Sequence, residues 1–234
     1  ITKLETTPMA RTQIHNHRYK LKDGSRAQSV TTIISQNLGW NKNALLAWTK
    51  RMAISGHDPD LVMRDAGNIG TLVHIMIQGH LQGFDVDTRD FTPNEEEKAL
   101  VAFGGYLEWY GKAKFEPLRS KSGKAACEIP LVNEEFRTGG TIDCIGKMDG
   151  KTMVVDWKTT KGTVVYPEMI IQLGAYTYLL ETAKPKAKID CGMIMRFDKE
   201  SGKFHKHIIS REKLDIGAQA FKHCCNLAQL KSIL

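Results

Sequence analysis

The sequence predicts an α/β protein in which a mixed β-sheet is flanked by helices and preceded by a helical N-terminal part. Three observations carry that expectation. Apolar periodicity switches along the chain from helical spacing to short β-type runs and back, in the order α, βββ, α, ββ, α. Asp149-Gly150 lies between two alternating runs, the strongest short-range signal for a two-residue hairpin turn. No internal repeat or low-complexity linker divides the 234 residues, of which 41% are hydrophobic, so one domain with a sizeable core is expected.

Taken in order, His17 to Leu21 and the β-branched run Val30 to Ile34 flank a turn at Asp23-Gly24 and read as a short hairpin or irregular arm. Asn43 is placed to cap a helix with Leu45, Trp48, Met52 and Ala53 on one face, with Trp48 in the core. Asp58-Pro59 reads as an N-cap with proline at the first helical position, and another helix is expected from Asn68 to Leu81. Thr92 to Glu95 has a capping-box pattern, after which Leu100, Phe103, Leu107 and Tyr110 recur at helical spacing. Strands are expected at Ala125 to Val132, Gly140 to Met148 and Met153 to Lys158. Tyr166-Pro167 then opens a helix to about Ala183, strands follow near Ile189 to Phe197 and Phe204 to Ile209, and a last helix starts at Ser210.

Lys and Arg number 33 against 26 Asp and Glu, a net charge of +7 that permits a polyanionic partner. Acid gathers between Asp85 and Glu97, while base dominates Arg18 to Arg26, Lys112 to Lys124 and Lys199 to Lys206. The five cysteines are scattered and lack the paired spacing of zinc sites, which suits reduced thiols in an intracellular protein. The cytoplasm of a bacterial or phage-infected cell is the expected place. An organelle stays open, because the chain starts at Ile1 and a targeting segment can precede it. No apolar run reaches the ~18 residues that span a bilayer, so no membrane partner is expected.

The hairpin carries the chemistry. Counting outward from the closing pair Met148 and Lys151 puts Asp143 directly opposite Asp156 and Thr141 opposite Lys158. Alternation places Thr141, Asp143 and Ile145 with Val154, Asp156 and Lys158 on one face, and Ile142, Cys144, Val155 and Trp157 on the other. Two carboxylates ~5 Å apart repel by roughly 3 kcal/mol at an effective dielectric of about 20. Lys158 offsets part of that, and a hard divalent cation requires carboxylates held this close. Ions there would polarise a phosphoryl oxygen and activate water, with Lys158 orienting the water or stabilising developing charge.

These residues resemble the RecB-like branch of the PD-(D/E)XK nuclease superfamily. Gly70-Thr71-Leu72-Val73-His74 is similar to its helical motif ending in a histidine, and Glu128 stands where the family has an upstream glutamate. Gly140 to Asp143 is similar to the first aspartate motif, Val155 to Thr159 to the Asp-x-Lys motif, and Gln172 to Tyr176 to the Gln-x-x-x-Tyr signature. The resemblance implies a restriction-endonuclease-like core at residues 68–210, with 1–67 as N-terminal arm and helices and 211–234 as C-terminal helix. It implies Mg²⁺ or Mn²⁺ held by His74, Asp143, Asp156 and the Trp157 carbonyl, and a catalytic set of Asp143, Asp156, Lys158, Glu128, Gln172 and Tyr176. Some members hold an iron–sulfur cluster with one cysteine before the histidine motif; none precedes His74 here, so no iron–sulfur cluster is expected. No Gly-x-x-x-x-Gly-Lys motif is present, so no ATP-driven motor is expected.

The function expected is a motor-free DNA exonuclease of recombination, repair or DNA processing. Aromatic residues Tyr19, Trp40 and Trp48 interleaved with Arg18, Lys20, Lys42, Lys50 and Arg51 point to single-stranded DNA or DNA ends, Tyr19 and Trp40 being the stacking surfaces. The alternatives are a structure-specific or restriction-like endonuclease of the same fold and a catalytically silent DNA-binding module.

Overall fold

A computed structural model describes residues 19–234; the expectations placed on His17 and Arg18 fall outside them. The elements are β1 (Gln28–Ser29), α1 (Val30–Leu38), α2 (Lys42–Ile54), α3 (Pro59–Gln82), α4 (Pro93–Lys112), β2 (Glu116–Pro117), β3 (Cys127–Asn133), β4 (Thr138–Met148), β5 (Lys151–Lys158), α5 (Pro167–Ala183), β6 (Cys191–Phe197), β7 (Phe204–Ser210) and α6 (Arg211–Lys231). The expected mixed α/β architecture is present. β4 and β5 form the hairpin, with Asp149 and Gly150 both at positive φ (52° and 75°) as a type I′ turn requires. α5 then crosses over so that β6 lies parallel to β5, and β7 returns antiparallel to β6.

β4 pairs with four other strands. One edge carries β3 and, at the hairpin end, β2; the other carries β5 and, beyond the point where β5 leaves, two parallel residues of β1. α3 and α4 cover one face of the sheet, with Leu72, Met76, Tyr106 and Trp109 packed on Cys144, Val155, Trp157 and Met193. α1, α5 and α6 cover the other, with Ile33, Leu173, Leu179 and Phe221 packed on Ile142, Ile145, Val154 and Ile194. Among the described residues no helix is long and apolar enough to cross a membrane.

Four local expectations are corrected. Val30 to Ile34 is the start of α1: the Ser29 hydroxyl accepts from the Thr32 amide, and Val30, Ile33 and Ile34 are buried on one helical face, so capping and packing override β-branched propensity. α2 starts at Lys42 with Asn41 at its N-cap and buries no residue, which leaves Trp48 half-buried. The helix expected at Asn68 is continuous with the one capped by Asp58, giving the 24 residues of α3. In α4 the capping box is formed, but Leu100 and Leu107 are exposed (52% and 41%) and the inward face is Ala99, Ala102, Gly105, Tyr106 and Trp109.

Small residues let α4 approach the sheet. A Cβ on Gly105 would lie 2.2 Å from the Gly202 carbonyl oxygen in the β6–β7 turn, whereas one on Gly104 meets nothing. Adjacent substitutions should therefore act in opposite directions. Gly104→Ala is expected to stabilise by about 0.5–1 kcal/mol through helix propensity, and Gly105→Ala to destabilise by about 1–3 kcal/mol through overpacking. Urea midpoints of the two variants check this, and a shift of the same sign in both would contradict the α4 packing.

Candidate active site

The site lies where the sheet forks. β4 and β5 pair in the expected register from Met148–Lys151 to Cys144–Val155, and the pairing ends there. Asp143 and Asp156 are therefore not ladder partners. Instead the Asp143 Oδ2 accepts the Trp157 amide at 2.8 Å, so a side-chain oxygen takes the place of a main-chain acceptor and the strands separate. Across the other edge, register passes from Cys127–Cys144 to Ile129–Ile142 and skips Glu128, which sits at φ 50°. A left-handed backbone costs a non-glycine residue about 1–2 kcal/mol. The expected face assignment changes here: Ile142 packs with the α1, α5 and α6 layer, while Cys144 packs with α3 and α4. The twist at Asp143 and Glu128 turns both carboxylates toward α3.

α3 supplies His74. A Cβ on Gly70, one turn earlier, would be 3.3 Å from the Thr159 hydroxyl, so the glycine lets the helix close on the end of β5. His74 donates Nε2–H to the Trp157 carbonyl at 3.0 Å, while Nδ1 lies 3.3 Å from Glu128 Oε1 and 3.7 Å from Asp143 Oδ1. Burial disfavours the imidazolium, but Asp143 and Glu128 outweigh it and lift the pKa to about 9. Burial also raises the Asp143 carboxyl, reinforced by Asp156 and Glu128 and opposed by His74 and Lys158.

A second group of contacts holds Lys158. Its ammonium lies 2.8 and 2.7 Å from the two oxygens of the buried Asp156 and donates to Gln172 Oε1 at 3.1 Å; Gln172 Nε2 in turn donates to the Tyr176 hydroxyl at 3.0 Å. Burial, with Asp143 and Asp156 nearby, raises the Tyr176 phenol well above its ordinary value, so it stays neutral. The paired glycines before Thr141 make room for rings: a Cβ on Gly140 would come 2.6 Å from Tyr176, and one on Gly139 would come 2.3 Å from Tyr19. Tyr19, expected as a stacking surface, is thus packed on Gly139 with its hydroxyl 2.9 Å from Thr141 Oγ1. Trp40 is 62% exposed.

All eight residues singled out from sequence gather around this fork: His74, Glu128 and Asp143 on one side, Asp156, Lys158, Gln172 and Tyr176 on the other, with the Trp157 peptide between. Arg196 was missed. Beside Lys158 in the β5–β6 ladder, it is buried and donates to the carbonyls of Val164 and Lys161, tying the β5–α5 loop to the sheet. A lone arginine inside the buried run Cys191 to Phe197 was the signal for it.

The donor set fits a divalent cation. Ligand atoms of His74, Glu128 and Asp143 lie within 4.8 Å of one another, while Asp156, expected as a ligand, stands outside that group with its Oδ2 2.7 Å from the Lys158 ammonium. The His74 Nε2–H to carbonyl bond is the support that orients a histidine ligand. The Trp157 carbonyl, implied as a ligand, spends one lone pair on that bond and keeps another. Fold and site define a nuclease of the restriction-endonuclease type. A family model described as the PD-(D/E)XK nuclease superfamily matches residues 54–232, and the chain belongs to that family.

Among curated proteins, the chain is similar to mitochondrial genome maintenance exonuclease 1 of Mus musculus, 24% identical over 198 residues that cover 79% of this chain and 53% of the relative. The Homo sapiens protein of that name is 24% identical over 196 residues, with the same coverage of 79% and 53%. The chain spans about half the length of these relatives. A solved structure described as SSO0001 overlaps 58% of this chain and 63% of its own at 14% identity, with a TM-score of 0.31.

The raised His74 pKa sets a pH dependence for the metal-free fold. Its contribution to stability is fully present below its ordinary value of 6.5 and is lost as pH rises through about 9; the raised Asp143 acts in the same sense. In chelator, the thermal midpoint of wild type minus that of His74→Gln is expected to shrink across this window. A difference that grows with pH would overturn this reading of the cluster.

Proposed function

We propose that this chain is a Mg²⁺- or Mn²⁺-dependent exonuclease that hydrolyses phosphodiester bonds in single-stranded DNA or at DNA ends, in recombination, repair or DNA processing. The observation that carries the reading is the fork itself, where His74, Glu128 and Asp143 meet the Trp157 peptide beside the ion pair of Asp156 and Lys158. His74 Nδ1, Glu128, Asp143 and Asp156 would hold the cation, with the free lone pair of the Trp157 carbonyl beside them. Nitrogen among these oxygens suits Mn²⁺ as well as Mg²⁺. A bound cation supplies Lewis acidity toward a phosphoryl oxygen and lowers the pKa of adjacent water.

The remaining work belongs to the chain's own groups. Lys158, aimed by Asp156 and by the Gln172 and Tyr176 pair, presents an ammonium to the developing negative charge or orients the attacking water. Lys20 and Lys161 contribute phosphate contacts within the +7 balance. The exposed indole of Trp40 offers a base a stacking surface that a closed duplex cannot use. The exonuclease named in the relatives supports action at ends.

Asp156→Asn and Lys158→Ala are each expected to lower turnover by about 10²–10³ or more while retaining a cooperative thermal transition, because neither side chain contributes to the apolar core. Rates on end-labelled single-stranded, duplex and circular DNA, run alongside melting curves, test both residues and substrate. Near wild-type turnover in a variant removes that residue from the catalytic set, and cleavage of closed circles replaces the exonuclease reading with an endonuclease.

A further inference from the structure

Beyond the fork, a cavity of about 170 Å³ lies between α1 and the first two turns of α5, reaching the α1–α2 turn. Ile34, Leu38 and Met169 form its apolar walls, and Asn41, Glu168 and Gln172 supply polar groups. Gln172 links it to the candidate active site, because its Oε1 accepts from Lys158 at 3.1 Å. Gly39, in the left-handed conformation at φ 65°, ends α1 and starts the turn that carries the exposed Trp40 beside Asn41.

Size and chemistry narrow the occupant. An enclosed apolar cavity of about 150 Å³ accepts a benzene ring; this one, of similar volume but open to solvent beside Thr31, Ser35 and Glu168, has room for a single six-membered ring against Ile34, Leu38 and Met169. Apolar walls suit the faces of such a ring, while the Asn41 amide and the Glu168 carboxylate suit the donors and acceptors on its edge, the Gln172 amide being engaged by Lys158 and Tyr176. Glu168 repels phosphate, so the cavity takes a base and leaves the backbone on the Lys158 side.

Building on the nuclease reading, we propose that the α1–α5 cavity is a nucleobase subsite. It takes one pyrimidine of the DNA strand lying across the fork in preference to the larger purine. The protein would then carry a pyrimidine preference at one fixed distance from the scissile bond. Such fit in a small pocket discriminates by about tenfold or more.

The test uses end-labelled thymidine oligonucleotides with a single purine moved along the strand. Wild type is expected to pause at one constant offset from the purine, with cleavage there slowed about tenfold. Ser35→Phe, which fills the cavity, should remove the pyrimidine advantage, and Leu38→Ala, which enlarges it, should weaken the purine pause; melting curves confirm that both fold. Active wild type without a constant-offset pause, or unchanged pauses in Ser35→Phe, overturns the subsite. If wild type cuts no oligonucleotide with either metal, the nuclease reading fails separately. Anisotropy titrations of short thymidine and adenosine oligonucleotides then decide the subsite: tighter thymidine binding lost in Ser35→Phe sustains it, and equal binding ends it.

Discussion

Negative charge concentrated at the end of one β-hairpin is the constraint around which this protein is built. Glu128, Asp143 and Asp156 converge beneath two helical layers, where water screens them poorly and mutual repulsion is strong. The sheet answers by opening. β4 and β5 stop pairing before the aspartates meet, and Asp143 spends one oxygen on a main-chain amide. His74 and Lys158 supply opposite charge from two sides, one from α3 and one from β5 itself.

Holding such a site open requires rigidity nearby. The Trp157 side chain is buried among Tyr106, Trp109, Phe115 and Phe197, with ring centroids 5.8 to 6.3 Å away. Its own peptide gives the amide to Asp143 and the carbonyl to His74. Aromatic packing on one face of β5 thus fixes the polar geometry on its backbone. On the opposite face the same strand presents Asp156 and Lys158 to α5, where Gln172 and Tyr176 receive them. One strand, buried on both sides, joins the two halves of the site.

Much of this was legible in the linear chain, for local physical reasons. The Asp149-Gly150 turn has a single favoured geometry, so the hairpin register followed from it by counting. Capping residues Thr92 and Ser210 and Pro167 at a first helical position marked α4, α6 and α5, because these signals act within one helical turn. The ordered motifs from His74 to Tyr176 pointed to the family, and their polar members His74, Asp143, Lys158, Gln172 and Tyr176 gather at the fork.

What only the tertiary structure decided was everything set by long-range packing. Whether Val30 to Ile34 became strand or helix depended on α5 and α6 lying beneath it, and the inward face of α4 depended on glycine and alanine allowing close approach where larger leucines could not. No pattern of alternation announced that Glu128 would adopt a left-handed backbone or that Ile142 and Cys144 would part to opposite faces. That twist is a compromise among β3, β4, β5 and α3. The sequence by itself determined which groups were candidates for the chemistry, since charge and residue type are local properties. Their distances were decided by the packing of elements far apart in the chain, 83 residues in the case of His74 and Trp157, because only the whole fold sets how closely such elements approach.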